Sequence, residues 1–261
     1  MNNTGDLAKG TWALILGGSS GIGLASAKKL AAHGFNLCVV HRDRRGSMAE
    51  VEKDFDEIRA HGGRLVTFNC DALTSATRAL ILDSIAKEAG AASLGLVLHS
   101  IALGNMRPVA DLNEDDFAQT IANMGTNLLF WVQDLHRRNL FKADARVLGL
   151  TSEGNSIAWE GYAAISAAKS ALEAVARSVA VAYAQYGIRC NILQPGITDT
   201  KALRLIPGAD EMKARALKRN PFQRLTTPED IAGMVYLMSR PEAAWINGSI
   251  IRVDGGEAIS N

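Results

Sequence analysis

Residues 12–24 read Trp-Ala-Leu-Ile-Leu-Gly-Gly-Ser-Ser-Gly-Ile-Gly-Leu, and this stretch decides the fold. Its first five residues form an apolar, β-rich run, and helical periodicity begins at Leu24. Between them lie Gly17, Gly18, Ser19, Ser20, Gly21, Ile22 and Gly23. Glycines let a backbone turn tightly and approach a pyrophosphate, whose charge then faces the unpaired amides at the helix start. We therefore predict a strand, a phosphate-binding turn and a helix, the alternative being an ordinary strand-to-helix turn.

The same alternation of short apolar runs and helical segments continues along the chain. The predicted strands are 12–16, 37–40, 65–68, 94–98, 147–150, 189–193 and 249–253, and the clearest predicted helices are 24–33, 47–60 and 74–89. Such alternation indicates βαβ units. We predict an α/β fold with a single doubly wound parallel sheet of the Rossmann type and helices on both faces.

We expect one domain over residues 1–261, because no linker or repeat interrupts the pattern. The least regular stretch, residues 200–228, follows the sixth strand, is rich in Lys and Arg, and contains Pro207 and Pro221. Long connections beyond the carboxyl ends of strands often cover ligands. We interpret this stretch as a substrate-covering lid.

Composition restricts the partners and the compartment. The formal net charge is only +1, so we expect neither nucleic acid nor an anionic membrane as a partner. Cys38, Cys70 and Cys190 lack metal-ligand spacing, so we predict no metal site and a reducing compartment. Residues 1–10 lack an apolar signal core, and no apolar run is long enough to span a bilayer. We expect a soluble, cytoplasmic protein.

The end of the second strand bears on the choice of dinucleotide. An acidic residue there binds the ribose hydroxyls of NAD, whereas Arg accommodates the 2′-phosphate of NADP. Here Arg42, Arg44 and Arg45 surround Asp43. Bidentate guanidinium pairing suits a phosphate dianion, so we favour NADPH over NADH. The alternative is a solvated charged loop with no role in that choice.

Several motifs together resemble the short-chain dehydrogenase/reductase family, and the resemblance spans nearly the whole chain. They are the glycine-rich run, Cys70-Asp71, Tyr162 with Lys169, Pro195-Gly196 and Val253-Asp254-Gly255-Gly256. The resemblance implies that Asp71 and Ala72 contact the adenine and that Lys169 holds the nicotinamide ribose. It further implies that Ser100, Ile101 and Ala102 line the cofactor and that the segment containing Gly196, Thr198 and Thr200 holds the carboxamide.

One departure from the family concerns the catalytic tyrosine. Most members place it four positions before the lysine, where this chain has Ile165, which cannot donate a proton. The nearest tyrosine is Tyr162. Seven positions on a helix leave Tyr162 and Lys169 about 20° apart in direction and roughly 10.5 Å apart along the axis. Both can therefore face one cleft, with the hydroxyl displaced along the helix.

That displacement suits conjugate reduction, in which negative charge collects on a carbonyl oxygen further from the carbon that accepts hydride. The Tyr-x6-Lys spacing and the string His99-Ser100-Ile101-Ala102 resemble the enoyl-acyl-carrier-protein reductases. Residues 199–221 and 162–173 look most similar to the NADPH-using form of these enzymes found in some Gram-positive bacteria. By that resemblance Tyr162 hydrogen-bonds the thioester carbonyl and stabilises the enolate, helped by the charge of Lys169. The substrate-contacting residues implied are Gly104, Tyr162, Ala202, Leu203 and Ile206.

Three neighbouring positions have competing interpretations. Ser152, ten residues before Tyr162, matches a supporting catalytic hydroxyl, with Thr151 as a competitor and a capping role as the alternative. The family's asparagine in the helix after the fourth strand is replaced by Met124, so that role is not carried over. His99 is interpreted as a packed strand-end histidine, because the mechanism leaves it no proton to move.

We therefore predict hydride transfer from NADPH to the trans-2 double bond of a fatty-acyl thioester. The alternatives are reduction of a ketone or another conjugated carbonyl in specialised metabolism, and nucleotide sensing without turnover. The expected substrate carrier is an acyl-carrier protein or coenzyme A, and family analogy implies a homotetramer. A basic cluster could dock the acidic carrier or be a solvated face; it comprises Lys201, Arg204, Lys213, Arg215, Lys218 and Arg219.

Overall fold

A computed structural model describes residues 10–206 and 208–260, so residues 1–9, Pro207 and Asn261 lie outside the described structure. Seven strands form one parallel sheet in the order β3-β2-β1-β4-β5-β6-β7. The strands are β1 (Trp12–Leu16), β2 (Asn36–His41), β3 (Leu65–Asn69), β4 (Leu94–His99), β5 (Phe141–Leu150), β6 (Ile188–Pro195) and β7 (Ile250–Val253). The helices are α1 (Gly21–Ala32), α2 (Met48–Arg59), α3 (Ser75–Ala89), α4 (Glu114–Ile121), α5 (Asn127–Arg137), α6 (Ala163–Ala182), α7 (Ala209–Arg219) and α8 (Pro228–Met238). The predicted fold class is confirmed.

Both faces of the sheet are covered, because successive strand side chains point to opposite faces. Leu14 of β1 packs in a core shared with Leu128 of α5 and Leu172 of α6. Its neighbour Ile15 packs on the other face with Leu30 of α1 and Val235 of α8. This two-sided burial explains why the strands read as continuous apolar runs.

Two predicted boundaries differ from the structure. Helix α1 begins at Gly21, inside the glycine-rich run, because a first helical turn needs no apolar periodicity. Strand β5 begins at Phe141, six residues before the predicted start at Val147. Charged residues in the first half of β5 interrupt the apolar pattern, so the sequence did not predict a strand there. Among them, Arg146 is fully buried because its guanidinium donates to Asp144 Oδ1 at 2.5 Å and to the Met238 carbonyl at 3.1 Å.

The strand order locates the candidate site. From β1 the chain builds outward through β2 and β3, then returns to place β4 on the other side of β1. In open α/β sheets, ligands bind outside the carboxyl ends of the strands at such a reversal. A cleft of about 770 Å³ lies here, bordered by residues that follow β1, β2, β3 and β4. Within residues 10–206 and 208–260, no helix is long and apolar enough to cross a membrane.

Candidate active site

The turn between β1 and α1, residues 17–23, is called the glycine turn below. Gly17 has φ +85°, and a Cβ there would lie 2.6 Å from the Ser100 carbonyl oxygen. A Cβ on Gly23 would lie 2.0 Å from the Gly17 carbonyl oxygen. Ser20 caps α1 without a side-chain hydrogen bond, so no side chain satisfies the first amides of the helix. The turn is therefore a cradle of backbone amides that suits a phosphate.

The large cleft begins at the glycine turn and collects most of the predicted cofactor residues. Those that line it are Gly17, Ser19, Ser20, Gly21, Ile22, Arg42, Arg44, Asp71, Ala72, Ser100, Ile101, Ala102, Lys169 and Thr200. Gly23 instead packs behind the turn, and Gly196 and Thr198 border a second, smaller cavity. The bare amide cradle and the size of the cleft fit a dinucleotide, whose phosphates would lie at the glycine turn and whose adenosine would lie beside the residues that follow β2 and β3.

The adenosine end of the cleft is basic. Arg42 and Arg44 are exposed and line it, whereas Arg45 lies outside the lining. The Asp43 carboxylate lies 2.8 Å from Nδ1 of His41, which is buried. Arg42 lies 3.8 Å from the Asp71 carboxylate, an exposed pair worth little energy. Asp43 also lines the cleft, with one carboxylate oxygen engaged by His41, and the guanidiniums of Arg42 and Arg44 border the same end.

Tyr162 lies where the two cavities meet, and it borders both. It is the N-cap of α6 rather than a residue within the helix, so the predicted helical geometry of the Tyr162–Lys169 pair is wrong at its first residue. A Cβ on Gly154 would lie 2.4 Å from Cε1 of the tyrosine ring, so glycine leaves the space that the ring occupies. The Tyr162 hydroxyl lies 3.3 Å from the Ser152 hydroxyl.

Burial decides the protonation of the phenol. Desolvation raises the pKa of Tyr162, and its hydrogen bond with Ser152 lowers it only in part. Of the two forms that the charge of Lys169 could favour, an ionised or a strongly donating Tyr162, burial therefore favours the protonated, donating form. A neutral phenol keeps its proton and donates a hydrogen bond, which is the property needed next to a developing oxyanion.

Lys169 lies on α6 and lines the large cleft. Its ammonium donates to the Leu150 carbonyl at 2.7 Å, at the carboxyl end of β5. Burial lowers its pKa to about 8, partly opposed by the nearby Glu173 carboxylate. The lysine is therefore anchored to the sheet and keeps its charge near neutral pH.

The competition between Ser152 and Thr151 is resolved by their partners. The Thr151 hydroxyl donates to Glu173 Oε1 at 2.5 Å and is buried. Ser152 faces Tyr162 instead. Both residues border the two cavities, but it is the Ser152 hydroxyl that lies within hydrogen-bond distance of Tyr162, while the Thr151 hydroxyl is held by Glu173.

His99 ends β4 and is 1% exposed. Desolvation, and then the charge of Lys169, lower its pKa to about 3. It is a neutral, packed imidazole, in agreement with its interpretation as a packed strand-end histidine. Close to it, residues Ala122–Thr126 form a π-helical turn between α4 and α5, in which Met124 is buried and borders both cavities. Such turns often occur at functional sites.

The smaller cavity, of about 260 Å³, extends from Tyr162 away from the large cleft. All the residues predicted to contact substrate border it, namely Gly104, Tyr162, Ala202, Leu203 and Ile206. Ile165, at the family's usual tyrosine position, borders it as well and is 5% exposed. Sequence reasoning missed other lining residues, namely Met106, Trp159, Ile197 and Leu205. These lie in irregular segments, where periodicity gives no signal.

The predicted basic cluster is largely neutralised. Arg204 pairs with Asp199 at 2.9 Å, Lys213 pairs with Asp210 at 2.7 Å, and Lys201 lies 3.5 Å from Glu50. Arg219 is not part of an exposed face, because its guanidinium turns inward to Glu153 at 2.6 Å. Within the described part of the chain, Arg215 and Lys218 are the members left exposed without an acidic partner.

Comparisons with known proteins agree with this geometry. A family model described as "Enoyl-(Acyl carrier protein) reductase" matches residues 17–257. A tropinone reductase homolog of Arabidopsis thaliana is 25% identical over 252 residues, covering 97% of this chain and 80% of the plant protein. A probable 2,4-dienoyl-CoA reductase of Bacillus subtilis is 28% identical over 249 residues, covering 94% and 95%.

A solved short chain dehydrogenase of Burkholderia cenocepacia in complex with NADP superposes with a TM-score of 0.83. It is 26% identical, and the match covers 96% of this chain and 98% of that one. The relatives carry the names of different reductases, so they agree on the class of reaction rather than on a substrate. The chain is thus an oxidoreductase with a nicotinamide-cofactor fold and belongs to the short-chain dehydrogenase/reductase family.

Proposed function

We propose that this protein reduces the trans-2 double bond of an enoyl thioester with NADPH. The observation that carries the proposal is the position of the only tyrosine hydroxyl among the lining residues of the two cavities. It belongs to Tyr162, where the cavities meet, while the apolar Ile165 holds the position from which most family members protonate a ketone. A donor displaced in this way suits an oxygen that is remote from the reacting carbon.

The chain's own residues have distinct tasks in that reaction. Tyr162, kept neutral by burial, donates a hydrogen bond to the thioester oxygen as negative charge develops there. Ser152 orients the phenol through their 3.3 Å contact. The apolar wall formed by Leu203, Ile206 and their neighbours holds the acyl chain and excludes water. A bound nicotinamide would supply the hydride to the β-carbon, and a proton from solvent would complete the reduction at the α-carbon of the enolate.

The choice of NADPH rests on the basic end of the large cleft. Arg42 and Arg44 border the region where the adenosine ribose would lie, and Asp43 is engaged by His41. Guanidinium groups suit a phosphate dianion. Lys169 lines the same cleft with an ammonium that would hold the nicotinamide ribose hydroxyls. Turnover with NADPH and NADH measures the preference, and a strong NADH preference would reject this step.

The decisive experiment follows NADPH oxidation with a trans-2-enoyl thioester and, separately, with a 3-ketoacyl thioester. We expect turnover of the enoyl thioester, and Tyr162→Phe should lower kcat by roughly two to three orders of magnitude, as loss of an oxyanion donor does. Tyr186→Phe is the matched control, since it removes the hydroxyl of an exposed tyrosine that borders neither cavity. Unchanged turnover in Tyr162→Phe would overturn the proposal.

A second candidate function, reduction of a carbonyl group, is favoured by one observation. The hydroxyls of Ser152 and Tyr162 lie 3.3 Å apart and could converge on one carbonyl oxygen. The tropinone reductase homolog and the dienoyl-CoA reductase among the relatives bear names of both types. Faster turnover of the ketoacyl thioester would select this function.

The proposed carrier is an acyl-carrier protein, docked through Arg215 and Lys218 in a cytoplasmic homotetramer. These two cations are the free part of the basic cluster. Reversing both charges should raise KM for the carrier-bound substrate while leaving KM for the coenzyme A thioester unchanged. An equal effect on both substrates, or none on either, would remove the docking step.

A further inference from the structure

A buried carboxylate lies behind the proposed catalytic residues without bordering either cavity. Glu173 is 8% exposed and follows Lys169 by one turn of α6. It accepts the Thr151 hydroxyl at 2.5 Å and also a hydrogen bond from the Asn155 amide. Burying a carboxylate is costly unless it is paired or hydrogen-bonded, so this group needs its two donors.

Those donors lie in residues 150–155, called the serine loop here, which connects β5 to the start of the site. The serine loop is tied to α6 at further points: Lys169 donates to the Leu150 carbonyl, Ser166 donates to the Gly154 carbonyl, and Ser152 meets Tyr162. Glu173 accepts hydrogen bonds from two side chains of the serine loop, those of Thr151 and Asn155, which lie on either side of Ser152 in the sequence. Without it, the rotation of the loop about Ser152 is less restrained.

We infer that Glu173 is a positioning residue: it fixes the serine loop through Thr151 and Asn155, and thereby holds the Ser152 hydroxyl against Tyr162. Because Thr151 and Ser152 are adjacent, the direction of one side chain determines that of the other. The inference on turnover rests on the proposed function, but the geometry of the Ser152–Tyr162 contact does not depend on the substrate.

The carboxylate has a second, separable effect through its charge. The titratable groups that face Lys169 are Glu173 on α6, His99 at the end of β4 and Tyr162 at the start of α6. His99 is neutral and Tyr162 is protonated, so Glu173 is the negative charge among them. It raises the pKa of Lys169 against the larger effect of burial.

Two variants distinguish the effect of Glu173 on the position of the serine loop from the effect of its charge on Lys169. Thr151→Val removes the donor and keeps the charge of Glu173, whereas Glu173→Gln removes the charge and keeps an acceptor for Thr151. We expect Thr151→Val to lower kcat by about tenfold to a hundredfold, because small displacements of catalytic groups have large effects. Its pH profile should keep the wild-type alkaline limb. Glu173→Gln should retain most of kcat at low pH and move the alkaline limb to lower pH.

Glu229→Gln is the matched control, since Glu229 is exposed on α8 and makes the same change of charge. NADPH affinity, measured by fluorescence titration, should be unchanged in Glu173→Gln and Glu229→Gln, which shows that both fold. Thr151 itself borders the large cleft, so circular dichroism and thermal unfolding show that Thr151→Val folds. Equal kcat in Thr151→Val and wild type would overturn the positioning role. An unmoved alkaline limb in Glu173→Gln would overturn the charge effect.

An optical titration of the phenol tests the inference without any turnover. The Ser152 hydrogen bond lowers the pKa of Tyr162, so Thr151→Val should raise that pKa, with Tyr162→Phe used to identify the signal. If no thioester or ketone is reduced, the proposed function fails while this readout still decides the role of Glu173. An unchanged Tyr162 titration in Thr151→Val would reject the role.

Discussion

The glycine turn and the serine loop form two sides of one site but are held in different ways. The glycine turn is fixed by backbone packing, with the Gly23 position only 2.0 Å from a carbonyl oxygen once a Cβ is added. The serine loop is fixed by hydrogen bonds with side chains of α6: Lys169 and Ser166 donate to its carbonyls, and Glu173 accepts from Thr151. We therefore expect substitutions in the glycine turn to have large effects on cofactor binding, and substitutions in the serine loop to have intermediate effects on turnover.

The largest effect should come from Gly23→Ala. The added Cβ would collide with the Gly17 carbonyl oxygen, which is part of the packed backbone and cannot rotate aside. The turn would have to open, and its amides would no longer point at the phosphate. Losing two hydrogen bonds to a phosphate, at about 1.5–3 kcal/mol each, should weaken NADPH binding at least about a hundredfold. Fluorescence titration measures the affinity.

Gly233→Ala provides the control for that change. Gly233 lies within α8, and a Cβ there has no neighbour within 4 Å. Alanine favours a helix, so thermal unfolding should show unchanged or slightly increased stability, with unchanged NADPH affinity. Equal binding by Gly23→Ala and wild type would show that the glycine turn does not hold the phosphates.

A smaller effect, confined to chemistry, should come from Gly154→Ala in the serine loop. The new Cβ would lie 2.4 Å from the Tyr162 ring and push it aside. We expect kcat to fall by about a hundredfold, because a displacement near 1 Å has that consequence. NADPH affinity should stay within about twofold, since the large cleft keeps its cradle. A parallel loss of cofactor binding would contradict the separation between the two regions.

Arg42→Ala, at the adenosine end of the large cleft, should have a smaller effect than Gly154→Ala. Loss of an exposed guanidinium should reduce the ratio of NADPH to NADH turnover by about tenfold. Arg45→Ala is the matched control, because Arg45 carries the same charge outside the lining of the cleft. If both variants shift the ratio equally, general charge rather than a specific contact sets the preference.

The smallest effect concerns pH. Lys169 is charged below its pKa of about 8 and loses that charge as pH rises through this value. If the ammonium holds the cofactor ribose, kcat/KM with NADPH should decline above about pH 8. The profile of Lys169→Arg, whose side chain stays charged, should be flat there. An alkaline limb that persists in this variant would assign the titration to another group.

The fold and the larger cleft could be read from the sequence, because both depend on local patterns. The apolar run of β1 with its glycines, and the alternation of strands and helices, leave few possible topologies. The same patterns placed most of the cofactor residues on one cleft. The predicted start of β5 was wrong because charged residues there, such as Arg146, find their partners only in the tertiary structure.

By itself the sequence determined the parallel sheet, the glycine turn and the candidacy of Tyr162 and Lys169, because spacing along one chain carries that information. Only the tertiary structure decided that Ser152 rather than Thr151 faces Tyr162, that Arg219 turns inward to Glu153, and that the phenol stays neutral. Each of these depends on burial and on partners far away in sequence. No local sequence pattern records which side chain will be buried away from water or which distant group will accept its hydrogen bond.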